Sequence, residues 1–202
     1  MNRWAWPLLG VLAGCQGRAR PEFAGKLNGV LLPRATARPG FALTATDGKR
    51  FDFQAQTKGR LTLLFFGYTN CPDVCPATMA ALGAVAGHLT SLDRARLAVV
   101  FVTTDPARDS AAALAAWLRQ FDPEFIGLTG TVAEVDSAQR AAGVGVAVRD
   151  TTRGNYQVSH AAQVLVYSPD DSGHIAYPFG TRQAEWAADL PRLFERWGGQ
   201  AR

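Results

Sequence analysis

Leu61-Thr-Leu-Leu-Phe-Phe-Gly67-Tyr-Thr-Asn-Cys71-Pro-Asp-Val-Cys75-Pro76 joins an almost wholly apolar run to two cysteines four residues apart. A run without period-two alternation is the pattern of a strand covered on both faces, as in a parallel sheet flanked by helices. Met79, Leu82, Ala86 and Leu89 then recur at helical spacing, so a helix is expected directly after the pair. Two side chains at i and i+4 on a helical turn share one face, ~5–6 Å apart at Cβ. The two thiols can therefore converge on one metal ion or close into a disulfide. Pro72 and Pro76 suit a first helical turn, where a missing N–H costs little.

Outward from that segment the elements alternate. Leu97 to Val102 reads as a second buried strand. Ser110 to Phe121 reads as a helix led by Asp109 as N-cap and stopped before Pro123. Thr131 and Glu134 have capping-box spacing ahead of a short helix that Gly143 can end. Upstream, Phe41 to Ala45 alternates, and Asp47-Gly48 turns the chain into Arg50-Phe-Asp-Phe53, a hairpin signal. A second hairpin is expected from Gln163–Tyr167 and His174–Tyr177 around Asp170-Asp-Ser-Gly173. Trp186, Leu190, Leu193, Phe194 and Trp197 line one face of a closing helix that Pro191 should kink or divide. The layout is α/β, a central sheet with helices on both faces. A right-handed crossover puts the cysteine loop at the sheet's carboxyl edge.

The chain has 202 residues, 48% hydrophobic and 19% charged, which is the composition of a folded domain. No apolar run reaches the ~18–20 residues of a membrane span. A net charge of +4, scattered along the chain, argues against nucleic acid as a partner. The third cysteine, Cys15, closes Leu12-Ala-Gly-Cys15 after Arg3 and a short apolar stretch. That arrangement resembles the bacterial lipobox, so residues 1–14 are expected to be a lipoprotein signal peptide and Cys15 the lipidated residue. Residues 15–40, rich in Arg, Ala, Gly and Pro, read as a tether, with the domain proper over 41–202. The domain would then be held at the cell membrane on its periplasmic or extracytoplasmic side. There a thiol pair must be kept reduced by a partner.

Two thiols do not complete a metal site, and three histidines could add a ligand. His88 falls late in the first long helix and is expected to be solvated, and His174 enters a hairpin and is a weak candidate. His160 leads into the strand at 163–167, whose approach passes the cysteine loop. Position alone fits a third ligand and a hydrogen-bonded histidine at a strand entrance equally well. Two thiolates with an imidazole would suit a soft ion such as Cu(I). The helix amino terminus should also favour thiolate at the pair, with Asp73 opposing it.

Four stretches in order resemble the Sco/SenC family: Phe41-Ala-Leu-Thr with Asp47-Gly48, Phe66 to Pro76, Val102-Thr-Thr-Asp-Pro-Ala-Arg-Asp109, and Val158-Ser-His160. The resemblance implies a thioredoxin-like fold outside the cytoplasm that binds copper, as Cu(I) or Cu(II), through Cys71, Cys75 and His160. It implies delivery of that copper to the CuA centre of cytochrome c oxidase during assembly. The alternative is a thiol-disulfide reductase that uses Cys71 and Cys75 to keep the CuA-site cysteines reduced. Asp105 is expected beside the site. The implied partners are the CuA-bearing oxidase subunit, a periplasmic copper donor and a thiol reductant. Asn70 stands where many relatives have histidine, and Ala161-Ala162 where polar residues are common. A peroxidase reading lacks a Thr-x-x-Cys pattern.

Overall fold

Val30 to Ala37, expected within the tether, forms strand β1 of the main sheet in the computed structural model, which describes residues 23, 25–152 and 156–197. The chain continues through β2 (Ala42–Ala45), β3 (Arg50–Asp52), α1 (Phe53–Gln56), β4 (Leu61–Gly67) and α2 (Val74–Ala86). Then come α3 (Ser91–Arg96), β5 (Leu97–Thr103), α4 (Ala111–Leu118), β6 (Ile126–Thr129) and α5 (Val132–Ala141). It closes with β7 (Val148–Arg149), β8 (Val158–Ser159), β9 (Val164–Tyr167), β10 (Ser172–Tyr177) and α6 (Gln183–Trp197). Eight strands form one mixed sheet in the order β1-β10-β9-β4-β5-β6-β2-β3. The β4, β5 and β6 strands run parallel, and the remaining neighbours in this sheet are antiparallel.

The two-faced burial expected of β4 is seen side chain by side chain. Leu61, Leu63 and Phe65 pack with Met79 and Leu82 of α2 and with Trp186, Leu190 and Leu193 of α6. Leu64 and Phe66 point the other way, to Leu43, Phe51 and Phe53 of the hairpin region and Val135 of α5. Each such fully buried side chain contributes ~1.5–3 kcal/mol relative to exposure. The hairpin turns at Gly48 with φ 82°, a conformation that favours glycine. The Thr131–Glu134 capping box is formed, and Gly143 follows the end of α5 at φ 70°. Helix α6 runs undivided through Pro191. Among the described residues no helix is long and apolar enough to cross a membrane.

Two expectations are corrected. Ser110, not Asp109, caps α4, its hydroxyl accepting from Ala113 N. The folded unit also begins before residue 40. Arg38 is buried and donates to Asp171 Oδ1 (2.9 Å), Thr57 Oγ1 (2.7 Å), Thr62 Oγ1 (2.8 Å) and the Ser168 carbonyl (2.8 Å). Asp189 of α6, also buried, accepts from Asn28 N at 2.7 Å and Tyr177 OH at 2.9 Å, tying the segment before β1 to the closing helix. Cys15 and the signal segment lie outside the described residues.

Candidate metal centre

Strand β4 ends at Gly67, where the backbone is held by Thr104, whose N–H and hydroxyl both donate to the Gly67 carbonyl. Two residues on, Thr69 donates through its N–H (2.9 Å) and hydroxyl (2.5 Å) to Asp109, which also accepts from Thr103 Oγ1 at 2.6 Å. The cysteine loop is thus fastened to the end of β5 by one buried carboxylate. Asp73 occupies the N-cap position of α2 without a side-chain capping bond. The Cys71 sulfur accepts the Cys75 N–H instead, at 3.4 Å, and so satisfies one of the orphan amides of the first turn.

His160 follows β8 and is half-buried. Its ring is set edge-on against Tyr68 (centroids 5.7 Å) and Phe65 (6.1 Å). Nδ1 lies 3.0 Å from the Ala161 carbonyl, and Nε2 lies 3.5 Å from Cys75 Sγ. With Nδ1–H donating to that carbonyl, the Nε2 lone pair faces the sulfur, the usual orientation of a metal-ligating histidine. One ligand atom from each of Cys71, Cys75 and His160 lies within 4.8 Å of the others. The two cysteines are free thiols. Among the three histidines the structure therefore selects His160. His88 is exposed, and His174 is buried against Trp197 at 5.5 Å and lies 3.8 Å from Asp170.

The electrostatics depart from the sequence expectation. The helix amino terminus is expected to favour thiolate at the pair, but both cysteines are buried. Burial pushes the Cys75 thiol well above its ordinary range, against a lowering contribution from the Tyr68 backbone. Desolvation outweighs the pull of a helix terminus because the full charge would sit in an apolar pocket. Burial also lowers His160 below its ordinary value, partly countered by the Ala161 and Phe66 carbonyls, so its ring is neutral at neutral pH and able to ligate. Two soft sulfurs and a neutral imidazole fit a soft monovalent ion such as Cu(I) and leave a closed structural zinc site one ligand short.

Asp105 is fully buried, and none of its hydrogen bonds reaches the three ligands. Its carboxylate accepts from Tyr156 OH (2.7 Å) and from Arg108 Nε. The residues that the sequence reading left out are Tyr68, Tyr156, Arg108 and the loop-fastening Asp109. Beyond its place in the family-like stretch Val102–Asp109, Asp109 was visible only as a helix cap, because a carboxylate before an apolar periodic run reads that way whether or not it caps.

A family model described as SCO1/SenC matches residues 31–195. A Stutzerimonas stutzeri protein that carries a provisional copper-binding name is 37% identical over 153 residues, 75% of this chain and 74% of that protein. The human mitochondrial SCO1 homolog is 32% identical over 153 residues; they make up 74% of this chain and half (50%) of the length of that relative. Among solved structures, copper-bound ScoI of Bradyrhizobium japonicum aligns with a TM-score of 0.69 at 32% identity, over 78% of this chain and 99% of that one. Apo Sco1 of Thermus thermophilus aligns with a TM-score of 0.73 at 31% identity, over 83% and 97%. With a thioredoxin-like fold and the cysteine pair at the carboxyl edge of its sheet, the chain belongs to the SCO1/SenC family.

Proposed function

We propose that this protein binds one copper ion as cargo through Cys71, Cys75 and His160 and delivers it to the CuA centre of cytochrome c oxidase during assembly. The observation that carries the reading is the approach of His160 Nε2 to 3.5 Å from Cys75 Sγ, with all three ligand atoms within 4.8 Å. A redox dithiol has no need of an imidazole so placed. Family membership and the copper held by the relative from Bradyrhizobium japonicum support the same cargo. The lipobox-like segment ending at Cys15 supports a lipid anchor, with the domain on the extracytoplasmic side and facing a membrane-bound oxidase subunit.

The reductase alternative is the weaker reading at this site. A dithiol reductase would use Cys71 and Cys75 alone and leave the His160 imidazole, 3.5 Å from Cys75 Sγ, without a role. Transfer is the direct test. The Cu(I)-loaded protein is mixed with a CuA-bearing domain in its reduced, metal-free form, and both are separated and assayed for copper. Copper should move to the acceptor, with protons returning to the two thiols. Retention of copper by this chain, together with reduction of an oxidised acceptor by its metal-free form, would favour the reductase reading.

A further inference from the structure

We infer that Tyr156 is a positioning residue for copper binding, its phenol holding His160 against the cysteine pair. The inference rests on the proposed copper site and adds residues outside its ligand set. Tyr156 lies four residues before His160, on the segment that enters β8. Its OH donates to Asp105 Oδ1 at 2.7 Å, and the other oxygen of the same buried carboxylate accepts from Arg108 Nε. The Arg108 guanidinium lies 3.7 Å from the Tyr156 ring centroid, a close cation–π stack, and 5.9 Å from the centroid of Tyr68. Tyr68 in turn sets its ring edge-on to His160.

A closed circuit follows from these contacts. Asp105 and Arg108, on the loop after β5, grip Tyr156 by hydrogen bond and by stacking. Tyr156 fixes the start of the segment that carries His160, while Tyr68, fixed at the end of β4, bounds the imidazole. Arg108 Nη2 is buried with no hydrogen-bond partner among the described residues, so ring stacking does much to hold this cation in place. The partner strand β7 has a separate fastening. Its Arg149 pairs with Asp136 at 2.8 Å and donates to the Thr104 carbonyl. Loss of the phenol alone should therefore loosen His160 rather than release it. Residues that orient a metal ligand from behind change affinity by ~10–100-fold when lost, and the lower end applies to one of two fastenings.

The test is a double-mutant cycle on Cu(I) affinity, measured by competition with a chromophoric Cu(I) chelator, using Tyr156→Phe, His160→Ala and the double variant. Tyr156→Phe is expected to weaken Cu(I) binding about tenfold when His160 is present and to have no effect when it is absent. Equal weakening in both backgrounds would make Tyr156 a general structural residue and overturn the inference, as would no weakening in either. If His160→Ala alone binds Cu(I) as tightly as the parent, the copper-site reading fails first and the inference with it, an outcome recognisable from that single variant. Arg108→Gln, which leaves the phenol–carboxylate bond but removes the stacked cation, supplies a second probe. It should show the same dependence on His160, and a His160-independent loss would count against the circuit.

Discussion

The Cys75 sulfur is buried and its thiol pushed above the ordinary range, yet copper binding requires the thiolate. The pocket therefore favours a proton over a bare charge, and a copper ion must displace that proton to bind. The sign of the pH dependence follows. Each thiol proton competes with the metal, and because the metal-free form keeps the Cys75 proton beyond the ordinary thiol value of 9.0, that competition persists across the physiological range. Apparent Cu(I) affinity should rise about tenfold per pH unit between pH 6 and 9 from the Cys75 proton alone, measured by chelator competition at each pH. A flat profile would mean that this thiol is not a ligand. Gly67 makes a second residue-scale prediction. A Cβ there would meet Cys75 Sγ at 2.7 Å and the Phe101 ring at 2.9 Å. Gly67→Ala should therefore cost about 1–3 kcal/mol of stability by overpacking, read by denaturant unfolding, and weaken Cu(I) binding by displacing the sulfur.

At the scale of elements, strong local signals were legible and weak ones were not. The β4 run, the capping box of α5, the Asp47-Gly48 hairpin and the α6 stripe each carry their pattern in adjacent residues, and all are present. Strand β1 was unreadable because it is an edge strand with no buried residue, contains Pro33 and is irregular between Leu31 and Thr36. What fastens its end is Arg38, whose partners Thr57, Thr62, Ser168 and Asp171 are distant in sequence, and composition gives an arginine in a Pro- and Gly-rich stretch no reason to be buried. Arg38→Met is accordingly expected to destabilise the fold by about 2–4 kcal/mol, because it leaves the buried Thr57 and Thr62 hydroxyls and the Ser168 carbonyl without their donor. Chemical denaturation of the variant beside the parent checks this. A solvated tether residue would give a change within ~0.5 kcal/mol.

For the whole molecule, the sheet order brings the site together from distant parts of the sequence. The cysteine loop leaves the end of β4, Asp105 and Asp109 follow β5, and His160 precedes β9, which is β4's antiparallel neighbour on the other side. The ligand types and their spacing were legible in the chain. The choice of His160 by position alone was not, because it depends on β9 pairing with β4 rather than on any local pattern. The supporting circuit of Tyr68, Arg108 and Tyr156 was equally hidden, being made of contacts between three loops. The central claim is that the cysteine loop and the segment carrying His160 meet on one copper ion. X-ray absorption on the reduced protein loaded with Cu(I), with copper stoichiometry determined on the same sample, tests it most directly. The expected result is one copper per chain in a shell of two sulfurs and one nitrogen, with the nitrogen lost in His160→Ala. A sulfur-only shell in the parent, unchanged in that variant, would contradict it.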